Sequence, residues 1–164
     1  AEALTETGQN AEKKGDLDEA LELYSQAIEV YPAYSEAYYA RAFVYYQQAN
    51  YSSAITDLNT YLTDNPNDMA AYRLRGLCQF ATEKYEAAIA DFTQVVRGDA
   101  QAIDTYYQRG AAKSQTGDYQ GAINDLTIFL AQYPNSADAL LLSSQLHGLI
   151  GDWQNAYTLC DQAN

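Results

Sequence analysis

The chain has 164 residues, 48% of them apolar and 19% charged, a composition that can bury a core and lacks the bias of a disordered segment. Its 22 acidic residues against nine lysines and arginines give a formal net charge of −13, which repels nucleic acid, and no basic stripe offsets that repulsion. No run of eighteen apolar residues exists, so no membrane insertion is expected.

Residues 1–34 place Gly8 in a first helical stretch, the turn signal Gly15-Asp16 after it, then Ala20, Tyr24 and Ala27 on one face and Pro32 as a stop. In residues 35–68, Tyr38, Arg41, Ala42 and Tyr45 fall at i, i+3, i+4 and i+7 of a first helix. Ala49-Asn50 supplies the turn, and Ala54, Ile55, Leu58, Tyr61 and Leu62 make the face of a second helix. Pro66 blocks continuation and holds Asn65 outside the helical region. Residues 69–102 and 103–136 repeat the pattern, and 137–164 begin it again.

The period is 34. Ala20, Ala54, Ala88, Ala122 and Ala156 recur at that spacing, as do the small residues Gly8, Ala42, Gly76, Gly110 and Ser144. Leu17, Tyr51, Tyr85, Tyr119 and Trp153 form a bulky column, and Pro32, Pro66, Ala100 and Pro134 a fourth. The small columns let one helix backbone lie close on the next, while the bulky column fills the space beside them.

These columns resemble the tetratricopeptide repeat (TPR) over the whole chain, with Ala100 in place of one proline and no tryptophan at the fourth position of any repeat. The resemblance implies an all-α fold: a right-handed superhelical solenoid of antiparallel helix pairs, or alpha-alpha superhelix. It also implies a single domain over 1–164, with repeats 1–34, 35–68, 69–102, 103–136 and 137–164. The first helices would line a concave groove. The positions that face it in the family fall here on Tyr39, Phe43 and Tyr46 in the second repeat, on Arg73, Leu77 and Phe80 in the third, and on Tyr107 in the fourth. Aromatic side chains and arginine are what binding hot spots are made of. The groove is therefore expected to hold a protein or peptide, making the chain an interaction scaffold or adaptor. The alternative is a structural spacer or a dimerisation region of a larger chain. The lysine and asparagine clamp of chaperone-binding members does not transfer, since Thr5, Gln9, Ala40, Ala70 and Leu74 stand in its places. Nor does the asparagine ladder of the glycosyltransferase superhelix, whose places hold Glu6, Ala40, Leu74, Gln108 and Leu142.

Arg41, Arg75 and Arg109 occupy a column where the family usually has leucine, and Asp57, Asp91 and Asp125 appear in the same three repeats. The first and last repeats have neither, carrying Thr7 with Leu23 and Ser143 with Leu159. A charge in a packed column is costly unless paired, so a recurring Arg–Asp salt bridge between first and second helices is predicted. The spacing leaves open whether each pair lies within a repeat or bridges to the next.

Nothing in the pattern points to an enzyme, a metal site or a cofactor: no nucleophile stands with a base, and no glycine-rich phosphate loop is present. His147 reads as a core or interface residue, and Cys78 and Cys160 as two buried small apolar residues. In Arg97-Gly98-Asp99 the glycine reads as a helix cap, and Asn50-Tyr51-Ser52 is a sequon on an interhelix turn. Leu140, Leu142, Leu146, Leu149, Ile150 and Tyr157 make the last repeat apolar without a capping helix, which predicts that this end is covered by further residues, by a second copy in self-association, or by a neighbouring molecule. No signal segment is visible, favouring a cytoplasmic setting. The start at Ala1 rather than Met leads us to expect a piece of a longer chain.

Overall fold

In a computed structural model describing residues 1–163, the backbone forms ten α-helices and no strand among the described residues. They are α1 (Glu2–Lys14), α2 (Leu17–Val30), α3 (Ser35–Gln47), α4 (Tyr51–Asp64), α5 (Met69–Ala81), α6 (Tyr85–Gly98), α7 (Ile103–Thr116), α8 (Tyr119–Gln132), α9 (Ala137–Leu149) and α10 (Trp153–Ala163). Asn164 lies outside the described residues.

The turn inside each repeat uses one left-handed residue followed by a capping side chain. Gly15, Gly117 and Gly151 have φ of 85°, 83° and 83°, and Ala49 and Glu83 take φ of 58° and 59° at the same column. The next residue caps the second helix: Asp16 accepts from the Glu19 amide, Asn50 from Ser53, Asp118 from Gly121 and Asp152 from Asn155. Lys84 is the exception and supplies no side-chain cap to α6. Gly98 does not act as a left-handed cap, contrary to the sequence expectation. It is the last residue of α6, and the extended Asp99 (φ −140°) ends that helix.

The chain divides into two compact units, Ala1–Thr82 and Glu83–Asn164. In the first, α1 packs on α2, α2 on α3, α3 on α4 and α4 on α5, and the first helices α1, α3 and α5 are successive neighbours. In the second, α6 packs on α7, α7 on α8, α8 on α9 and α9 on α10, and α7 neighbours α9. The alanine column makes these approaches possible: Ala20, Ala54, Ala88 and Ala122 are wholly buried. Where glycine occupies the facing column there is little room for a side chain. A methyl on Gly8 would stand 2.6 Å from Tyr24 Cε1, and one on Gly110 would stand 3.2 Å from the carbonyl oxygen of Ala122.

The last repeat departs from its sequence expectation in two ways. Leu140 and Leu146 are core residues, because the face of α9 that carries them is turned into the unit. Leu149, Ile150 and Tyr157 are exposed as expected, and Leu141 and Trp153, which the sequence reading did not name, are exposed with them, Tyr157 to 77% and Trp153 to 72%. Cys78 is buried as expected, with its thiol pushed up to about 11 by that burial, but Cys160 on α10 is exposed. No helix covers the outer face of α10 among the described residues.

Candidate functional site

A helical spacing of three and four residues brings two apolar rows together in the first compact unit. Helix α3 presents Tyr39, Phe43 and Tyr46, and α5 presents Ala70, Arg73, Leu74 and Leu77; together they line a cleft of about 260 Å³. Of the residues expected to face a groove, this cleft unites five: Tyr39, Phe43, Tyr46, Arg73 and Leu77. Leu74 was not anticipated, although it lies one turn before Leu77 on the same helix face. Phe80 is half-buried further along α5 and does not line the cleft.

The tyrosines are held from behind. The Tyr39 ring lies 4.9 Å from that of Tyr61, tilted by 45°. Tyr61 donates its hydroxyl to Asp68 Oδ2 at 2.7 Å, and Asp68 Oδ1 accepts from the Ala71 amide at 3.1 Å, capping α5. One carboxylate thus ties the aromatic pair to the start of the opposite wall. Burial, and after it the Asp68 charge, keeps the Tyr39 phenol above its ordinary pKa of 10.0, so the group stays neutral and donor-competent. Tyr46 is backed by Tyr51, ring centroids 6.0 Å apart. Phe43 has no such backing in the core and is 39% exposed.

Tyr107 belongs to the second compact unit. It packs on Phe129 at 5.1 Å, and Phe129 on Tyr133 at 4.9 Å. This stack repeats the Tyr39–Tyr61 pair, but Phe129 has no hydroxyl and Ser136 stands where Asp68 does in the first unit. A cavity of about 610 Å³ opens there, beside Phe129, Tyr133, Pro134 and Asp104.

Arg41 makes a two-point grip on Asp57, Nε to Oδ2 and Nη2 to Oδ1, both at 2.8 Å, and its Nη1 reaches Ser25 on α2 at 3.1 Å. Arg109 grips Asp125 the same way at 2.8 and 2.7 Å, with Nη1 3.4 Å from Thr93 on α6. Lys113 joins that carboxylate at 2.9 Å. Both grips lie within one repeat, while the third nitrogen bridges to the repeat before. Asp57 and Asp125 are only 4% and 3% exposed, and donating hydrogen bonds to Asp57 holds the Arg41 guanidinium above its ordinary pKa. Arg75 Nη1 meets Asn59 on α4 at 2.8 Å, the same backward reach; Arg75 lies in the first compact unit and Asp91 in the second. Each guanidinium also lies over the tyrosine three residues earlier, Tyr38, Tyr72 or Tyr106, at 5.4 to 5.9 Å.

His147 sits at the surface of its repeat, half-buried, with Nδ1 3.0 Å from Asp152 Oδ2. Among the described residues no group of three or more His, Cys, Asp or Glu is arranged to hold a metal ion, and no helix is long and apolar enough to cross a membrane.

Two family models described as tetratricopeptide repeat match the chain, over residues 11–78 and 104–136. No curated protein sequence matches it. Among solved structures, a crystal structure of MamA protein is 20% identical with a TM-score of 0.92, covering 98% of this chain and 88% of that one. A MamA RS-1 ArsTM double mutant is 17% identical, covers 99% and 91%, and has a TM-score of 0.91. The structure of YrrB, described as a TPR protein with an unusual peptide-binding site, is 19% identical with a TM-score of 0.92 and covers 98% and 82%. Identities this low carry the fold, an all-α helical-repeat solenoid, and nothing finer.

Proposed function

The chain belongs to the tetratricopeptide repeat family, and from that premise we propose that it is a protein-interaction scaffold whose cleft between α3 and α5 takes a segment of a partner polypeptide. The observation that carries this is the cleft's lining: three aromatic side chains of one helix face the apolar row of its neighbour around about 260 Å³ of open space. That volume is below the roughly 300–1,000 Å³ of pockets that swallow whole small molecules. It suits one or two anchoring side chains of an extended or helical peptide, the helix-in-groove arrangement. The pre-set Tyr39 and Tyr46 rings lose little freedom when such a segment binds. A peptide-binding site described for YrrB, a protein of the same fold, supports the reading.

The test uses peptides selected from a displayed library against the intact chain, with affinities then measured by calorimetry. Phe43→Ala removes an exposed ring, so folding is not at stake. A hot-spot truncation of about 2 kcal/mol should weaken binding roughly 30-fold. Selected peptides that bind Phe43→Ala and Tyr46→Ala as tightly as the parent would overturn the assignment.

A second reading rests on a different observation. Leu149, Ile150, Trp153 and Tyr157, four exposed apolar side chains, fall within nine residues of sequence in the last repeat. Such a segment serves a dimerisation or spacer role in which the cleft is idle.

A further inference from the structure

The arginine column leaves a vacancy in the last repeat. In the second repeat the Arg41 side chain lies among α2, α3 and α4, reaching Ser25, and in the fourth Arg109 lies among α6, α7 and α8, reaching Thr93. The residues one period on are Thr127 on α8, Ser143 on α9 and Leu159 on α10. Ser143 is too short to fill the space, and a cavity of about 530 Å³ opens on the same three helices, lined by Thr127, Leu130, Ser143, His147, Asn155 and Leu159 among others.

We propose that this slot receives the side chain of an arginine from a partner polypeptide, lying where the chain's own arginines lie in the earlier repeats. The walls fit that occupant. Leu130, Ala131 and Leu159 offer apolar surface to its methylene stem. The hydroxyl of Thr127 stands in the column whose side chain accepts from Nη1 of Arg41, Arg75 and Arg109. Its own proton goes to the Ile123 carbonyl at 2.8 Å, which leaves its lone pairs to accept. Ser143 and the amides of Asn155 and Gln162 add further neutral acceptors.

Charge selects the cation. From residue 114 to the end the sequence has five aspartates and no lysine or arginine; Asp125 among them is already paired with Arg109 and Lys113. Asp152 is bonded to two of the lining residues, taking hydrogen bonds from Asn155 Nδ2 at 2.7 Å and from the His147 ring at 3.0 Å. Guanidinium is more weakly hydrated than ammonium and donates through a planar fork, so arginine is preferred to lysine. Leu159 replaces the aspartate that clamps the internal arginines, so the incoming group is held reversibly rather than locked. This slot lies on α8, α9 and α10 and shares no residue with the cleft on α3 and α5.

The test is an amide-resolved NMR titration of the intact chain with acetylated Gly-Xaa-Gly amides, Xaa being arginine, citrulline or leucine. The arginine probe should shift Ser143, His147 and Thr158, bind about tenfold more tightly than either neutral probe, and weaken as salt is raised. The double change Ser143→Arg with Leu159→Asp installs the internal grip and fills the slot, and should abolish those shifts. Ser143→Leu fills the slot without new charges and serves the same purpose should the double variant fail to fold. No shift with the arginine probe, tighter binding of the leucine probe, or shifts that persist in a folded slot-filled variant would each overturn the proposal.

Discussion

At the scale of single residues the arginine–aspartate grip is the contact whose removal should be felt most. Asp57 is almost wholly buried and its two oxygens face Arg41, so Arg41→Leu strands a buried carboxylate. The expected loss is about 3–5 kcal/mol, and Arg41→Leu with Asp57→Leu should recover much of it, because an apolar pair needs no counter-charge. Urea melts of the four members of that cycle measure the coupling. The grip was legible in the sequence because arginine and aspartate enter and leave the repeats together. The backward reach to Ser25, Asn59 and Thr93 was not legible, since three different side chains share that column and each reads alone as an ordinary exposed polar residue. Leu74 escaped for a similar reason. A leucine amid a leucine- and alanine-rich helix gives no sign of which of two neighbouring faces it serves.

At the scale of the helices and their turns, the third repeat is the least well finished. Its turn holds Glu83 in the left-handed region where glycine costs nothing, and Lys84 supplies no side-chain cap to α6. Lys84→Asp should stabilise the chain by about 1 kcal/mol, as an N-cap substitution does. Ala49→Gly should give a similar gain by relieving the same backbone strain in the second repeat. A thermal melt would read each as a rise of about 3 °C, and a fall in either variant would contradict the turn geometry. Helix number, turn positions and the alanine column were all visible in the sequence, because a period sampled five times averages out local ambiguity. The left-handed conformation of Glu83 was visible only through that register, since no propensity would place glutamate there. The burial of Leu140 and Leu146 was misjudged because a uniformly apolar helix does not announce which side is covered.

At the scale of the whole molecule, charge and apolar exposure oppose each other. A formal net charge of −13 keeps copies apart, while Trp153 and Tyr157 invite contact. Self-association through the last repeat is therefore expected to grow as salt screens the repulsion, the Debye length shrinking from about 30 Å at 0.01 M to about 10 Å at 0.1 M. Sedimentation velocity at the two salt levels measures it, and Trp153→Asp should hold the chain monomeric at both; a parent that stays monomeric throughout would refute the dimerisation reading. The arginine bridges have a consequence for the order in which the chain comes apart. Arg109 is a rivet through three helices, fastening α6, α7 and α8, whereas α9 is seated on α8 with Ser143 in the rivet hole. In an array held by nearest-neighbour contacts, an unriveted terminal layer peels first. Amides of α9 and α10 should exchange with deuterium well before those of α7 and α8, and the second compact unit would then unzip from its last helix inward, leaving a shorter but still fastened stack behind.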